Sequence, residues 1–279
     1  MYVGCGKCGA CLSNRRADWS FRIKEEAKAS TRCDFVTLTY HDSTLPMTNN
    51  LGMPTLCKRD IQLFNKSLRN EQEKYTNIKY RFFCVGEYGT KFHRPHYHII
   101  FFNLHSELAK PENLLPIWFN GIVTSVPLDQ GLTHYTTKYH VTAQKHTRNL
   151  NIHDDRIDEF TLSSNKPPVY ETEKFGGIGY QYIKNCKAYH LKTRNAFIVN
   201  NGYKQRMPNY YYRHIFKDLP EAEKEIMRQE AQTLVEQTEE KELRRLSKKG
   251  YKNPRYEYLR RLSYAAKDVK FKANKKGIF

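Results

Sequence analysis

Residues 95–102, Pro-His-Tyr-His-Ile-Ile-Phe-Phe, constrain this chain more than any other stretch. Side chains alternate along a strand, so His96 and His98 share one face and Tyr97 takes the other, where it is free to pack. The apolar run that follows fixes the strand in a sheet. Two imidazoles placed this way can hold one metal ion, and a third ligand stands nearby. Glu87 ends the preceding strand, and the turn Glu87-Tyr-Gly-Thr-Lys-Phe-His-Arg94 brings it back beside the histidines. Two imidazoles and one carboxylate with open positions suit Mn²⁺ or Mg²⁺ in phosphate chemistry, and would also admit Zn²⁺ or Co²⁺. The plainer reading is two surface histidines in a hairpin. His93 falls on the opposite strand face and stays outside the set.

The surrounding pattern gives this strand its neighbours. Residues 34–40, Asp-Phe-Val-Thr-Leu-Thr-Tyr, alternate and are β-branched or aromatic, which predicts a strand. Asp60 is expected to cap a short amphipathic helix with Ile61, Phe64 and Leu68 on its apolar face. Residues 78–86 read as a second strand, 95–102 as a third, 111–119 as a short helix and 121–126 as a fourth strand. A turn at Gly131 opens a helical stretch over about 132–143. The order β-α-β-β-α-β, followed by a helix, predicts an α+β fold with a ferredoxin/RRM-like split βαβ core. Its central antiparallel sheet would carry helices on one face and leave the other for a ligand.

On the N-terminal side, Leu12, Arg15, Arg16, Trp19 and Arg22 recur at helical spacing, which predicts a helix from about 13 to 29. After about 145 the chain turns polar and loop-rich, punctuated by Lys166-Pro-Pro-Val-Tyr170 and by residues 175–185, Phe-Gly-Gly-Ile-Gly-Tyr-Gln-Tyr-Ile-Lys-Asn. A charged helix is expected from near Asp218 to about Lys249, with Pro220 in its first turn. Its apolar positions (Ile226, Leu234, Val235, Leu243, Leu246) are sparse, so it should be largely solvated. The last thirty residues are basic, as a DNA-binding or a merely solubilising tail would be. The expected division is a cysteine-containing segment 1–30, a main domain 31–215 and a charged C-terminal extension 216–279.

Lys and Arg outnumber Asp and Glu by 47 to 29, a formal charge of +18 that attracts polyanions, nucleic acid first among them. The 20 tyrosines interleaved with basic residues suit stacking on exposed bases. No run of 18 apolar residues exists to span a bilayer, and the N-terminus lacks the apolar core of a signal peptide. The 7 cysteines, an odd number, argue for a reducing cytoplasm. Cys5, Cys8 and Cys11 could ligate a structural Zn²⁺ with Cys33 or a histidine as fourth ligand; a free, unmetallated cluster is the alternative. Cys57, Cys84 and Cys186 read as ordinary reduced cysteines.

A second chemical signal lies downstream of the histidines, in Tyr135-Thr-Thr-Lys138-Tyr139. On a helix, Tyr135 and Tyr139 sit four apart on one face, about 6 Å between Cβ atoms. A free phenol is only about 0.1% phenolate at neutral pH, so it needs help to act as a nucleophile. Lys138 could supply positive charge near a reacting phosphate. With 20 tyrosines, such a pair could also arise by chance.

Taken together, the two signals resemble the HUH endonucleases. His96-Tyr97-His98 matches their His-hydrophobe-His motif, and Tyr135-x-x-Lys138-Tyr139 the two-tyrosine motif of their replication-initiator branch. Phe35-Val-Thr-Leu-Thr39 resembles the first strand of those initiators. The closer likeness is to the replication initiators of the Microviridae, particularly the gokushovirus-like group. It rests on Cys5-Gly-Lys-Cys8-Gly-Ala-Cys11, Trp19-Ser-Phe-Arg22, Phe35-Val-Thr-Leu-Thr-Tyr40, Gly86-Glu-Tyr-Gly89 and Arg94-Pro-His-Tyr-His98, with weaker echoes at Gly177-Ile-Gly179 and Met207-Pro-Asn-Tyr-Tyr211. It covers about residues 1–215. Asn209 stands where a basic residue is expected, and Thr136-Thr137 replaces small apolar residues.

The resemblance implies an HUH endonuclease fold and rolling-circle replication initiation. Glu87, His96 and His98 would hold a divalent cation, Tyr135 would make the first cut and Tyr139 would act when the origin is regenerated. The partners implied are single-stranded DNA, phage replicative-form DNA and a host polymerase, in the cytoplasm of a bacterial host. No Gly-x-x-x-x-Gly-Lys-Ser/Thr loop occurs, so unwinding is expected from a host helicase. One rival is another HUH nuclease: a plasmid initiator, a relaxase or a single-strand transposase. The other is a non-catalytic RRM-like nucleic-acid binder, although the third strand carries His-Tyr-His where such a binder shows Lys/Arg-Gly-aromatic-x-aromatic.

Overall fold

The computed structural model describes residues 9–89, 92–128, 160–164, 176–200 and 203–261. The chain divides into two compact units. One is Trp19–Gln181; the other combines the described residues of Met1–Asp18 and Tyr182–Gly277.

The first unit is built on five antiparallel strands: β1 (Cys33–Thr39), β2 (Arg81–Tyr88), β3 (Pro95–Phe102), β4 (Val123–Pro127) and β5 (Phe160–Ser163). Their order across the sheet is β4-β1-β3-β2-β5, so the histidine strand is central. The architecture is α+β, as expected. Two strands start or end a few residues from their predicted bounds, β2 at Arg81–Tyr88 against 78–86 and β4 at Val123–Pro127 against 121–126. Strand β5 has no forecast. It pairs with β2 from Phe160↔Gly86 to Ser163↔Phe83, a contact between distant residues that no local pattern announces.

Helix α2 (Lys58–Tyr75) forms where the apolar spacing places it and buries Ile61, Phe64 and Leu68 against one sheet face. Its cap differs from expectation. Cys57 is the N-cap residue and makes no side-chain cap bond, while Asp60 accepts a hydrogen bond from the Tyr40 hydroxyl at 2.7 Å. The predicted helix at 111–119 is one turn, α3 (Pro111–Leu114). Buried Trp118 then hydrogen-bonds through Nε1 to the Thr39 carbonyl, which seats this region on the end of β1. Gly121 completes the fit, since a Cβ there would lie 2.1 Å from the Thr39 oxygen.

The other face is not left free along its length. Helix α1 (Gly9–Lys28) carries Trp19, Ile23 and Ala27, which pack with Phe35, Phe83, Val85, Ile100, Phe102 and Ile178. Five large apolar side chains on that face have to be covered, and this half of α1 covers them. The Trp19-Ser-Phe-Arg22 motif is part of the device. Trp19 packs on Phe83 at 4.8 Å between centroids, and the Arg22 guanidinium lies 4.1 Å above the Trp19 ring and donates to the Ile178 carbonyl. Buried Glu26 pairs with Arg81 at 2.7 Å and accepts from the Gly179 N–H, so the Gly177-Ile-Gly179 echo is a docked segment.

The second unit holds more regular structure than its polar sequence suggests. Helix α4 (Tyr180–Thr193) overlaps a stretch expected to be loop; two further elements are a hairpin of β6 (Phe197–Asn200) with β7 (Tyr203–Arg206) and helix α5 (Asn209–Ile215). Helix α6 (Glu221–Lys248) matches the predicted charged helix. Its surface is laced by pairs such as Arg228–Glu225 and Arg244–Glu240, and it ends at Gly250 with φ +82. Among the described residues no helix is long and apolar enough to cross a membrane.

Candidate metal centre

Strand register assembles the site. On β3, His96 stands directly opposite Glu87 of β2 and Thr39 of β1, and His98 stands opposite Val85 and Thr37. Directly opposed residues share a face, so Glu87, both histidines and the two threonines lie on the same side. Tyr97 points through the sheet into the core beneath α2, as alternation predicts. There its hydroxyl meets the Tyr40 hydroxyl at 2.9 Å and both the N–H and the carbonyl of Cys57.

The three predicted ligands converge. Nε2 of His96 lies 2.8 Å from Glu87 Oε1, and Nε2 of His98 lies 3.1 Å from the same oxygen. Their ligand atoms all fall within 4.8 Å of one another, and among the described residues this is the one such group of His, Cys, Asp or Glu. The Glu87 side chain is 3% exposed, His98 8% and His96 17%, so the cluster opens to solvent on the His96 side. His98 stacks on Phe35, with ring centroids 5.3 Å apart. His93 is excluded for a different reason from the one expected: it lies in the turn, with φ +50, and bonds to the Gly89 carbonyl.

Both imidazoles are held from behind. Nδ1 of His96 lies 3.1 Å from the Arg94 carbonyl, and Nδ1 of His98 lies 3.0 Å from Thr37 Oγ1. A neutral imidazole that donates through Nδ1 presents a bare Nε2 lone pair, which is the form a metal takes up. The Arg94 backbone is itself fixed, because its guanidinium bonds to Asp42 and to the Tyr40 carbonyl.

Electrostatics favour a cation here. Burial works against the Glu87 carboxylate, but hydrogen bonds and charge from His96 and His98 outweigh it and hold the carboxyl below its ordinary range. Burial pushes His98 below the ordinary histidine value, although Glu87 pulls it upward, so the imidazole is neutral at pH 7. Glu87 Oε2 is buried with no hydrogen-bond partner. A buried carboxylate oxygen without a partner, beside two imidazole nitrogens, is a donor set that fits a divalent cation.

The remaining expected site residues stand apart. Tyr135, Lys138 and Tyr139 lie outside the described residues, as do Cys5 and Cys8. Cys11 is half-buried on α1. The Cys33 thiol is pushed up to about 11 by burial and by the charges of Asp34 and Glu26, a poor start for a thiolate ligand.

Relatives of known kind share the segment that carries this geometry. The family profile for replication-associated proteins of the ORF2 type matches residues 33–145, a span that contains Glu87, His96, His98 and the two tyrosines. Replication-associated protein ORF2 of Spiroplasma virus 4 is 31% identical over 232 residues, covering 77% of this chain and 68% of that protein. This chain belongs to the replication-associated protein family. Similar family members are replication-associated protein VP4 of Bdellovibrio phage phiMH2K, 27% identical over 78% of this chain and 68% of that protein, and ORF4 of Chlamydia phage 1, 26% identical over 77% and 52%. No solved structure matches the chain.

Proposed function

We propose that this protein initiates rolling-circle replication of a single-stranded DNA phage genome by nicking one strand with a tyrosine and later rejoining it. The observation that carries the reading is the convergence of Glu87, His96 and His98 around one buried carboxylate oxygen, in a chain of the replication-associated family. The order β4-β1-β3-β2 is the one a split βαβ unit takes, which supports an HUH endonuclease core within residues 31–215 and an extension over 216–279. The flanks of the tyrosine segment support it too: β4 and β5, on either side of residues 129–159, are the two edge strands of this same sheet.

A divalent cation held by Glu87, His96 and His98, Mn²⁺ or Mg²⁺ by its chemistry, would polarise the scissile phosphate. Tyr135 attacks phosphorus through its phenol oxygen and gives up its proton to solvent. The bond to the 3′ oxygen breaks, and that oxygen takes a proton and leaves as a free 3′-OH for the host polymerase. The 5′ phosphate stays on Tyr135, with Lys138 offsetting its charge. Tyr139 attacks the regenerated origin in the same way, and the 3′-OH it releases attacks the Tyr135 phosphotyrosine and closes the circle. One phosphodiester is exchanged for another, so rejoining consumes no ATP. The setting is the bacterial host cytoplasm, with single-stranded and replicative-form DNA as substrates and a host helicase for unwinding.

The test is incubation with Mn²⁺ and end-labelled single-stranded oligonucleotides spanning the source genome, resolved on a denaturing protein gel. A shifted band that carries the 3′-side fragment, lost with EDTA and in Tyr135→Phe, is expected. DNA binding with no shifted band on any sequence would leave a non-catalytic RRM-like binder as the better account.

A further inference from the structure

We propose that Thr37 is a positioning residue for the metal centre, which sets the tautomer of His98 and so the affinity of the site for a divalent cation. The inference rests on the metal reading above and adds a residue to it.

The trio has room for few protons. Both Nε2 atoms point at one oxygen, Glu87 Oε1, at 2.8 and 3.1 Å. With no cation bound, that oxygen is a ready acceptor for an Nε2–H, and every such proton has to leave before a cation binds through the nitrogen. What holds the competing form, with its proton on Nδ1 and a bare Nε2, is an acceptor behind the ring. The two histidines obtain it differently. His96 has the Arg94 carbonyl, which is backbone, accepts only and survives any substitution at that position. His98 has the Thr37 hydroxyl at 3.0 Å, a side chain that one substitution removes.

No described element offers an obvious replacement. Thr37 stands directly opposite His98 in the β1–β3 register, and on the other flank the opposed residue is Val85, which has no side-chain acceptor. Phe35, stacked on the ring, has none either. The His98 side chain is only 8% exposed, so water is a poor substitute. Without the Thr37 hydroxyl, the proton of neutral His98 moves to Nε2 and onto Glu87, where it competes with the cation.

The experiment is a Mn²⁺ titration of the metal-free full-length chain, with free ion counted by electron paramagnetic resonance, on wild type, Thr37→Val, Thr37→Ala and Thr37→Ser. His98→Ala and His96→Ala serve as references. A second readout is the ring-nitrogen NMR spectrum of the Zn²⁺-loaded protein, which reports whether the His98 proton sits on Nδ1. Expected is one Mn²⁺ per wild-type chain, abolished in both histidine variants and bound about 10- to 100-fold more weakly in Thr37→Val and Thr37→Ala. Thr37→Ser should return to within a few-fold of wild type with the Nδ1–H signal kept. The alanine variant carries the result if the valine variant misfolds. If wild type binds Mn²⁺ through the histidines and both hydroxyl-free variants bind it equally well, the role of Thr37 is overturned while the metal centre stands. If wild type binds no Mn²⁺ that His96→Ala abolishes, the metal reading falls and takes this inference with it.

Discussion

Glu87 and His96 stand directly opposite each other across β2 and β3, with Nε2 of His96 2.8 Å from Glu87 Oε1. Replacing the carboxylate should therefore remove the cation site and leave the sheet intact. Mn²⁺ at about 100 times its dissociation constant should stabilise the wild-type protein by about 2.7 kcal/mol, seen as a rise in melting temperature. In Glu87→Gln the rise should vanish. A Mn²⁺-dependent rise of the same size in the variant would place the ion elsewhere.

The site's pH response follows from His98. Burial puts its pKa below the ordinary 6.5, so protonation competes with a cation only at pH below that value. The sign for folding is the same: below about pH 6.5 the unfolded chain takes up a proton that folded His98 resists, so metal-free stability falls as pH drops. Mn²⁺ affinity should be level from pH 8 to about 6.5 and decline below it. An affinity that falls steadily between pH 8 and 7 would contradict the assignment, and calorimetry across this range decides.

Tyr97 has a structural task between its two functional neighbours. Its hydroxyl meets Tyr40 and accepts from the Cys57 N–H at 2.8 Å, and Tyr40 in turn donates to Asp60. Tyr97→Phe keeps the ring and strands these groups, at a cost of about 1–3 kcal/mol. Urea unfolding should show that loss while Mn²⁺ affinity stays within a few-fold of wild type.

The Glu26–Arg81 pair joins α1 to β2 in a buried setting, and Arg81 also reaches the Gly176 carbonyl. Arg81→Ala leaves Glu26 buried without its partner, and burial already raises the Glu26 pKa. A loss of about 3–5 kcal/mol is expected in urea unfolding. A loss below about 1 kcal/mol would mean that the pair is incidental.

Much of the first unit was legible because local pattern and register agree. Alternation in Phe35-Val-Thr-Leu-Thr39 and in the His-Tyr-His strand sets which residues face together, and a short turn forces Glu87 opposite His96. Thr37 shares a face with the histidines only once β1 is known to lie beside β3, which the sequence of either strand does not state. Strand β5 and the Trp19 face of α1 were hidden for the same reason, since both depend on contacts far apart along the chain. The hairpin of the second unit was more accessible: Asn201-Gly202 between Phe-Ile-Val-Asn and Tyr-Lys-Gln-Arg is a strong hairpin signal. In Tyr180–Thr193 the neighbouring glycines masked a helix whose own residues tolerate it well.

The central claim is that a tyrosine of this chain becomes joined to DNA, and the most direct measurement is the mass of the joined peptide. The covalent product formed with Mn²⁺ on a cleavable single-stranded oligonucleotide is digested with protease and nuclease and sequenced by mass spectrometry. The expected result is a nucleotide attached through its 5′ phosphate to Tyr135, with Tyr139 taking its place in Tyr135→Phe. Attachment at a residue outside this pair, or cleavage with no attached nucleotide, would contradict it.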